Sequence, residues 1–253
     1  MFATDQSMLL VLTGAVNEGK TTQLVSIIGA VDLDTKAQLF TPCLFLVAEA
    51  SSYGTAGRIL TDPALCVVWP VADCDEAVDA LRECFPDGGP LTIAEARARE
   101  HAARCKAADK DKRPRPPAPA PLPANIGSLT LRSVAIDTIS TLYQGSAKTA
   151  ANIAREEIAS GANKRIKSTR STNNNGAMNN SMDQGRFAAN RCQILIDRLN
   201  GITQHHRGVL VVVTCHTRPL EADEITGSGE QATTVCRVIG SAPSLGATKT
   251  ASK

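Results

Sequence analysis

The segment GAVNEGKTT, residues 14–22, constrains what this chain of 253 residues can fold into more than any other feature. It matches the spacing G-x-x-x-x-G-K-[ST] and follows the apolar run MLLVL of residues 8–12. Residues 21–31 then have a helix-like composition, so a strand, a glycine-containing loop and a helix follow one another. Glycines let the backbone wrap around an anion, and the first N–H groups of the helix point at it. The segment therefore predicts a phosphate-binding loop.

Each position of this loop has an expected role toward a nucleotide. The predicted cofactor-binding residues are Gly14, Ala15, Val16, Asn17, Glu18, Gly19, Lys20, Thr21 and Thr22. Lys20 is expected to reach the β- and γ-phosphates, Thr21 to ligate Mg²⁺, and Thr22 to contact the α-phosphate. The chain lacks the Asn-Lys-x-Asp signature of guanine recognition, so we expect the cofactors to be ATP and Mg²⁺.

Apolar runs of strand length recur along the chain and alternate with helix-like stretches. The predicted strands are residues 8–13, 43–48, 65–69, 133–136, 209–214 and, more weakly, 233–239. The predicted helices are residues 21–31, 73–84 and 183–204. This alternation predicts an α/β fold with a mostly parallel sheet and crossover helices, the three-layer arrangement of a P-loop NTPase.

Composition limits the class of protein. A hydrophobic content of 43% supports one domain with a real core, and an aromatic content of 3% makes Val, Ile, Leu and Ala its main components. The net charge of +2 is too small to indicate nucleic-acid binding by itself. The eight cysteines form no C-x-x-C pair, which favours free thiols in a reducing compartment. The first apolar run is too short for a signal peptide or a membrane span, so we expect a soluble cytoplasmic protein without a membrane partner.

Two segments interrupt the α/β pattern. Residues 94–113 are rich in Ala, Arg and Lys and run into residues 113–123, which hold six of the 13 prolines. We therefore expect residues 94–127 to be an extended, polyproline-like surface insertion rather than a folded layer. Residues 160–181, called the basic loop below, carry cations and the run Asn173-Asn174-Asn175 with little apolar surface. We expect the basic loop to be mobile.

Three strand ends carry side chains suited to nucleotide chemistry. Asp137 ends the run SVAID and fits a carboxylate that holds Mg²⁺, although an Asp there also serves as a helix cap. Glu49 follows the run LFLVA and can polarise an attacking water, or it is an ordinary charge facing solvent. His216 closes the run VLVVVTC and can sense the γ-phosphate, or it merely ends a buried strand.

Taken in order, GAVNEGKTT, FLVAEASS, SVAIDTIS and VVVTCHTR resemble the motifs of RecA-like core ATPases, particularly small phage-encoded members associated with recombination and single-strand annealing. The resemblance implies that residues 1–253 form a single RecA-like ATPase domain, located in the host cytoplasm if the protein is phage-encoded. It implies catalytic roles for Lys20, Glu49 and His216 and a metal site at Thr21 and Asp137. It also implies a homo-oligomer with nucleotide at subunit interfaces, where Lys249 and Lys253 act on the neighbouring subunit.

The same resemblance implies single-stranded DNA as a partner. The DNA-contacting loops of the family correspond to the basic loop and to residues 221–232, but the second segment is acidic and repels phosphate. The candidate DNA contacts are therefore Lys164, Arg165, Lys167 and Arg170, flanked by Arg155 and Arg186. The basic loop carries no aromatic residue that stacks on bases, so such binding would be mostly ionic.

Three functions remain open at the level of the sequence. The first is a DNA-dependent P-loop ATPase that acts in recombination, annealing or repair. The second is a nucleotide-binding scaffold without hydrolysis, such as a virion or assembly component. The third is a small-molecule or nucleotide kinase, for which the Arg-rich residues 97–115 would form a lid.

Overall fold

A computed structural model of the chain describes residues 6–15, 18–49, 62–159, 181–226 and 233–243. Its strands are β1 (Met8–Gly14), β2 (Cys43–Val47), β3 (Cys66–Pro70), β4 (Ser133–Asp137), β5 (Leu210–Thr226) and β6 (Thr233–Pro243). Its helices are α1 (Lys20–Ile28), α2 (Cys74–Cys84), α3 (Ile93–Lys110), α4 (Ala124–Gly127), α5 (Ile139–Ala159) and α6 (Ser181–His205).

Five strands form a parallel sheet in the order β1-β5-β4-β2-β3, which confirms the predicted α/β class. Strand β5 therefore separates the strand of the phosphate loop from the strand that ends in Asp137. The part of β5 beyond the sheet pairs with β6 in an antiparallel hairpin. Because all five strands run the same way, their carboxyl ends meet at one edge of the sheet.

The two faces of the sheet are covered by different helices, which produces three layers. Alternate strand residues such as Phe45, Ala135 and Val212 pack with α1 on one face. Their neighbours, such as Leu46 and Ile136, pack with α2, α3, α5 and α6 on the other face. This two-residue alternation follows from strand geometry, and both faces are dominated by Val, Ile, Leu and Ala as the composition predicts.

Local chemistry explains where several helices begin. The Asp73 side chain accepts a hydrogen bond from the Glu76 backbone N–H and caps α2. Thr92 and Glu95 form a capping box at the start of α3. At α1 the capping residue is Gly19, whose φ of 76° lies in the left-handed region that favours glycine.

The prediction of an extended insertion is wrong for its first half. Residues 93–110 form the 18-residue helix α3, and its residues Ile93 and Ala96 are fully buried in the core. The many alanines of this stretch have the highest helix propensity, and the capping box stabilises its first turn. Residues 113–123 have neither helix nor strand structure, in agreement with the prediction for the Pro-rich half.

The structure corrects the loop expected at residues 221–232. Strand β5 continues to Thr226, so residues 221–226 form a paired strand and not a loop; residues 227–232 lie outside the described ranges. Directly after α6, His206 is buried beside Phe85. Its backbone carbonyl accepts a hydrogen bond from Ser7 Oγ at 2.6 Å.

The cysteines behave as the sequence indicates. The seven whose side chains are described are free thiols, and all of these except Cys105 are buried. Burial raises the pKa of Cys84 to about 12, so this thiol stays protonated at neutral pH. None of the helices within the described ranges is both long and apolar enough to cross a membrane.

Candidate functional site

The predicted site residues of four strands meet at the carboxyl edge of the sheet. In the register of the strands, Gly14 of β1 pairs with His216 of β5, and Val47 of β2 pairs with Asp137 of β4. The Ala48 backbone N–H also donates to the Asp137 carbonyl at 3.0 Å, which places Glu49 just beyond that pair. The sheet therefore brings the phosphate loop and the three polar strand ends into one region.

Lys20 binds the backbone at the start of the predicted phosphate loop. Lys20 Nζ donates to the Gly14 carbonyl at 2.9 Å and also to the Ala15 carbonyl, and the Lys20 residue is only 7% exposed. An ammonium group has three donors, so this arrangement leaves one N–H for a ligand. Val16 and Asn17 lie outside the described residues, and Thr22 is exposed on the first turn of α1.

Glu18 completes the loop in a way that the motif does not specify. Its Oε2 accepts a hydrogen bond from the Ala15 backbone N–H at 2.6 Å. The same oxygen lies 2.6 Å from the point that a Cβ on Gly14 would occupy, so a side chain at this position would displace the Glu18 carboxylate. A carboxylate therefore lies against the loop that is expected to hold a polyanion.

Thr21 and Asp137 are the two predicted metal ligands, and they are in direct contact. Thr21 Oγ1 donates to Asp137 Oδ2 at 2.7 Å, and Thr214 Oγ1 donates to the other carboxylate oxygen. Asp137 is 4% exposed, so its carboxylate is oriented by hydroxyl groups in a mostly dry environment. This geometry joins the first turn of α1 to the end of β4.

Glu49 and His216 form a second contact at the same edge. Glu49 Oε1 accepts a hydrogen bond from Thr141 Oγ1 at 2.6 Å. His216 Nε2 lies 3.6 Å from this oxygen, too far for a hydrogen bond but within ion-pair distance if the imidazole is protonated. His216 Nδ1 is buried and has no hydrogen-bond partner within the described residues.

Sequence reasoning missed the hydroxyl groups that orient these residues. The Ser140 hydroxyl accepts the His216 backbone N–H at 3.0 Å, and Thr138 Oγ1 donates to the Thr214 carbonyl at 3.0 Å. Together with Thr141, these side chains tie the start of α5 to β5 and to Glu49. The available signal was the run of hydroxyl residues in DTIST directly after the acidic strand end.

The side-chain oxygens at this edge of the sheet suit a hard divalent cation whose remaining ligands are water molecules and substrate oxygens. Among the described side chains, no three His, Cys, Asp or Glu residues cluster as they would in a structural metal site. One carboxylate and one hydroxyl at Asp137 and Thr21 match the sparse protein coordination of Mg²⁺, whose other ligands are phosphates and waters. The residues present therefore fit Mg²⁺.

The other predicted contacts cannot be placed at this site. The candidate DNA-binding residues Lys164, Arg165, Lys167 and Arg170 and the candidate trans-acting residues Lys249 and Lys253 lie outside the described residues. Arg155 and Arg186 are exposed on α5 and α6, the helices on either side of the basic loop. The roles of all these cations remain predictions.

Comparison with known proteins adds no assignment to this geometry. The sequence matches no model of a protein family, and no curated protein gives a significant match. The function must therefore be argued from the residues and their arrangement.

Proposed function

We propose that the chain is a RecA-like ATPase that binds ATP with Mg²⁺ at the carboxyl edge of the sheet and hydrolyses it in the service of DNA recombination, annealing or repair. The proposal includes single-stranded DNA as the partner of the basic loop and a homo-oligomer as the working form. Its DNA and oligomer parts rest on the motif resemblance, whereas its nucleotide part also draws on the site geometry.

The hydrogen bond between Thr21 and Asp137 is the observation that carries the nucleotide part. The two residues are 116 positions apart in the chain, yet their side chains meet at 2.7 Å. A hydroxyl at the start of the helix after a phosphate loop and a carboxylate at a buried strand end are the pair that a P-loop NTPase uses to hold Mg²⁺. A chance match of the loop motif does not require this second contact.

The chain's own residues divide the work of hydrolysis. Lys20 would hold the β- and γ-phosphates with the N–H that its two carbonyl contacts leave over. Thr141 and His216 both approach Oε1 of Glu49, so Oε2 would take the proton of the attacking water as general base. His216 would sense whether the γ-phosphate is present through its contact with Glu49. Mg²⁺, when bound, supplies charge neutralisation on the phosphate oxygens.

The structure weakens the kinase alternative. That alternative needs a lid made from residues 97–115, but residues 93–110 form α3, which is fixed by buried Ile93 and Ala96. Arg99 of this helix pairs with Glu83 of α2 at 3.1 Å. The Arg-rich helix is therefore part of the helical layer that covers the sheet.

ATP turnover by the purified protein, measured with and without single-stranded DNA, tests the proposal. Glu49→Gln should retain ATP binding and lose ~10² to 10⁴-fold in turnover, because it removes the general base but keeps size and polarity. Lys20→Ala should lower nucleotide affinity or turnover by at least about tenfold. Glu156→Gln, an exposed carboxylate on α5, is the matched control and should behave as wild type.

Other outcomes have distinct signatures. Hydrolysis by Lys20→Ala at the wild-type rate contradicts the phosphate-loop assignment. If ATP raises the melting temperature of the wild-type protein but is not hydrolysed, the protein is a nucleotide-binding scaffold. Phosphate transfer to an added nucleoside indicates a kinase.

A further inference from the structure

The Pro-rich segment, residues 113–123 (RPRPPAPAPLP), is unusually stiff for a stretch without helix or strand structure. Each of its residues is either a proline or directly precedes one. Proline fixes its own φ near −65° and pushes the preceding residue out of the helical region. The whole segment is therefore restricted to polyproline II geometry, and Pro123 at its end has φ −54° and ψ 140°. At 3.1 Å per residue it spans about 34 Å.

The segment is fastened to the domain near both ends. Arg115 makes two hydrogen bonds to the Asp109 carboxylate, at 2.8 and 2.7 Å, and the Pro116 carbonyl lies 3.2 Å from His101 Nε2 of α3. At the other end, Leu122 packs against the hydrophobic core. A partner that bound this segment would not have to order it, which removes an entropic cost of binding.

The burial pattern shows which edge of the segment faces solvent. A polyproline II helix has three residues per turn, so every third residue lies on the same edge. The two partly buried residues, Pro116 and Leu122, are six positions apart and define an inner edge; Pro119 lies on this edge by register, although its own side chain is exposed. Pro114 and Pro117 lie on a different edge, and both are exposed.

We propose that this exposed edge is a docking ligand for a separate protein domain whose groove is lined with aromatic rings and flanked by carboxylates. Aromatic-lined grooves take pairs of prolines three residues apart, as Pro114 and Pro117 are. Residues 109–115 carry four cationic and two anionic side chains. Because Arg113 pairs with Asp111 and Arg115 with Asp109, the net positive charge comes from Lys110 and Lys112, and it favours an acidic margin on the partner.

A second copy of this chain does not provide such a groove within the part that the structure describes. The large aromatic side chains there are mostly in the core, with Phe45, Trp69, Phe85 and Tyr143 all buried. On this ground we take the partner to be a different protein. This binding is independent of the nucleotide site, because no residue of the segment contributes to it.

This proposal can be tested by calorimetric titration of the full-length protein with a recombinant SH3 domain. The SH3 domain is chosen because it has an acidic pocket beside its aromatic groove. We expect saturable binding in the micromolar range. Pro117→Ala should weaken it by about tenfold, because the substitution removes one proline ring from the groove. Pro119→Ala, the same substitution on the inner edge, should leave the affinity within about twofold, and thermal unfolding should show that both variants are folded.

Three results would overturn the proposal. The first is the absence of binding by the wild-type protein at probe concentrations that saturate a Pro-rich control peptide. The second is binding that neither substitution changes. The third is an equal loss in both variants, which would show that the probe recognises the stiffness of the whole segment and not the exposed edge.

Discussion

Gly145→Ala is the substitution whose effect the structure specifies most sharply. Gly145 lies in α5 beside the turn that precedes α2. A Cβ added there would lie 1.9 Å from the Ala72 carbonyl oxygen and 3.2 Å from Asp73 Cα. Since ordinary van der Waals contact begins near 3.4 Å, the helix and the turn would have to separate by about 1.5 Å. The obstacles are backbone atoms, so a rotamer change cannot relieve the clash.

The magnitude follows from two opposing effects. Overpacking of this kind costs about 1–3 kcal/mol, whereas replacing glycine by alanine inside a helix stabilises by about 0.5–1 kcal/mol. We therefore expect Gly145→Ala to lower the free energy of unfolding by about 1–2 kcal/mol. A separation would also loosen two contacts across this junction: Ser146 Oγ with the Cys74 backbone N–H at 3.1 Å, and Thr149 with Asp73 at 2.9 Å.

Gly201→Ala is the matched control, since Gly201 lies inside α6 and has no atom within 4 Å of an added Cβ. It should stabilise the protein by about 0.5–1 kcal/mol. Urea unfolding followed by circular dichroism measures both values, with the slope against urea checked for constancy. A Gly145→Ala protein as stable as wild type would contradict the predicted clash, and so would two substitutions that shift stability in the same direction.

Three further predictions concern the loop, pH and DNA. Glu18→Gln keeps an oxygen that can accept the Ala15 N–H but removes a negative charge beside the expected position of the phosphates. The Kd for ATP should therefore fall about three- to tenfold. An unchanged Kd in a calorimetric titration would contradict this prediction. Burial lowers the pKa of His206, so the unfolded chain, with a pKa near 6.5, binds the proton more tightly than the folded protein. The melting temperature should therefore fall as pH decreases from about 7.5 to 5.5, and His206→Gln should flatten that profile; parallel profiles would exclude the residue as the cause. Replacing the four basic-loop cations by Ala or Ser should change the free energy of unfolding by no more than about 0.5 kcal/mol each. It should also reduce the slope of log K for single-stranded DNA against log salt concentration by roughly 0.7 per lost contact. An unchanged slope in a labelled-oligonucleotide titration would place DNA binding elsewhere.

Local patterns were sufficient to predict most elements of the core. The strand-length apolar runs became β1 to β5, and the helices after residues 20, 73 and 181 lie close to their predicted bounds. Such patterns work because burial on one or both faces of a strand or helix imposes a period on the sequence itself. The Ala-rich residues 93–110 were misjudged because their apolar side chains are small, so their helical period was hidden by charge and by the prolines that follow.

The candidate residues of the site could also be identified from the sequence, because the predicted phosphate loop and the acidic strand end are contiguous motifs. Sequence by itself determined which groups are available: Lys20, Thr21, Glu49, Asp137 and His216. It did not determine which of them touch. The hydrogen bond of Thr141 to Glu49 spans 92 residues and that of Thr21 to Asp137 spans 116. These contacts exist because β5 lies between β1 and β4, while β2 pairs with β4. The order of strands in a sheet is set by the packing of the whole domain, and no local period in the sequence encodes it.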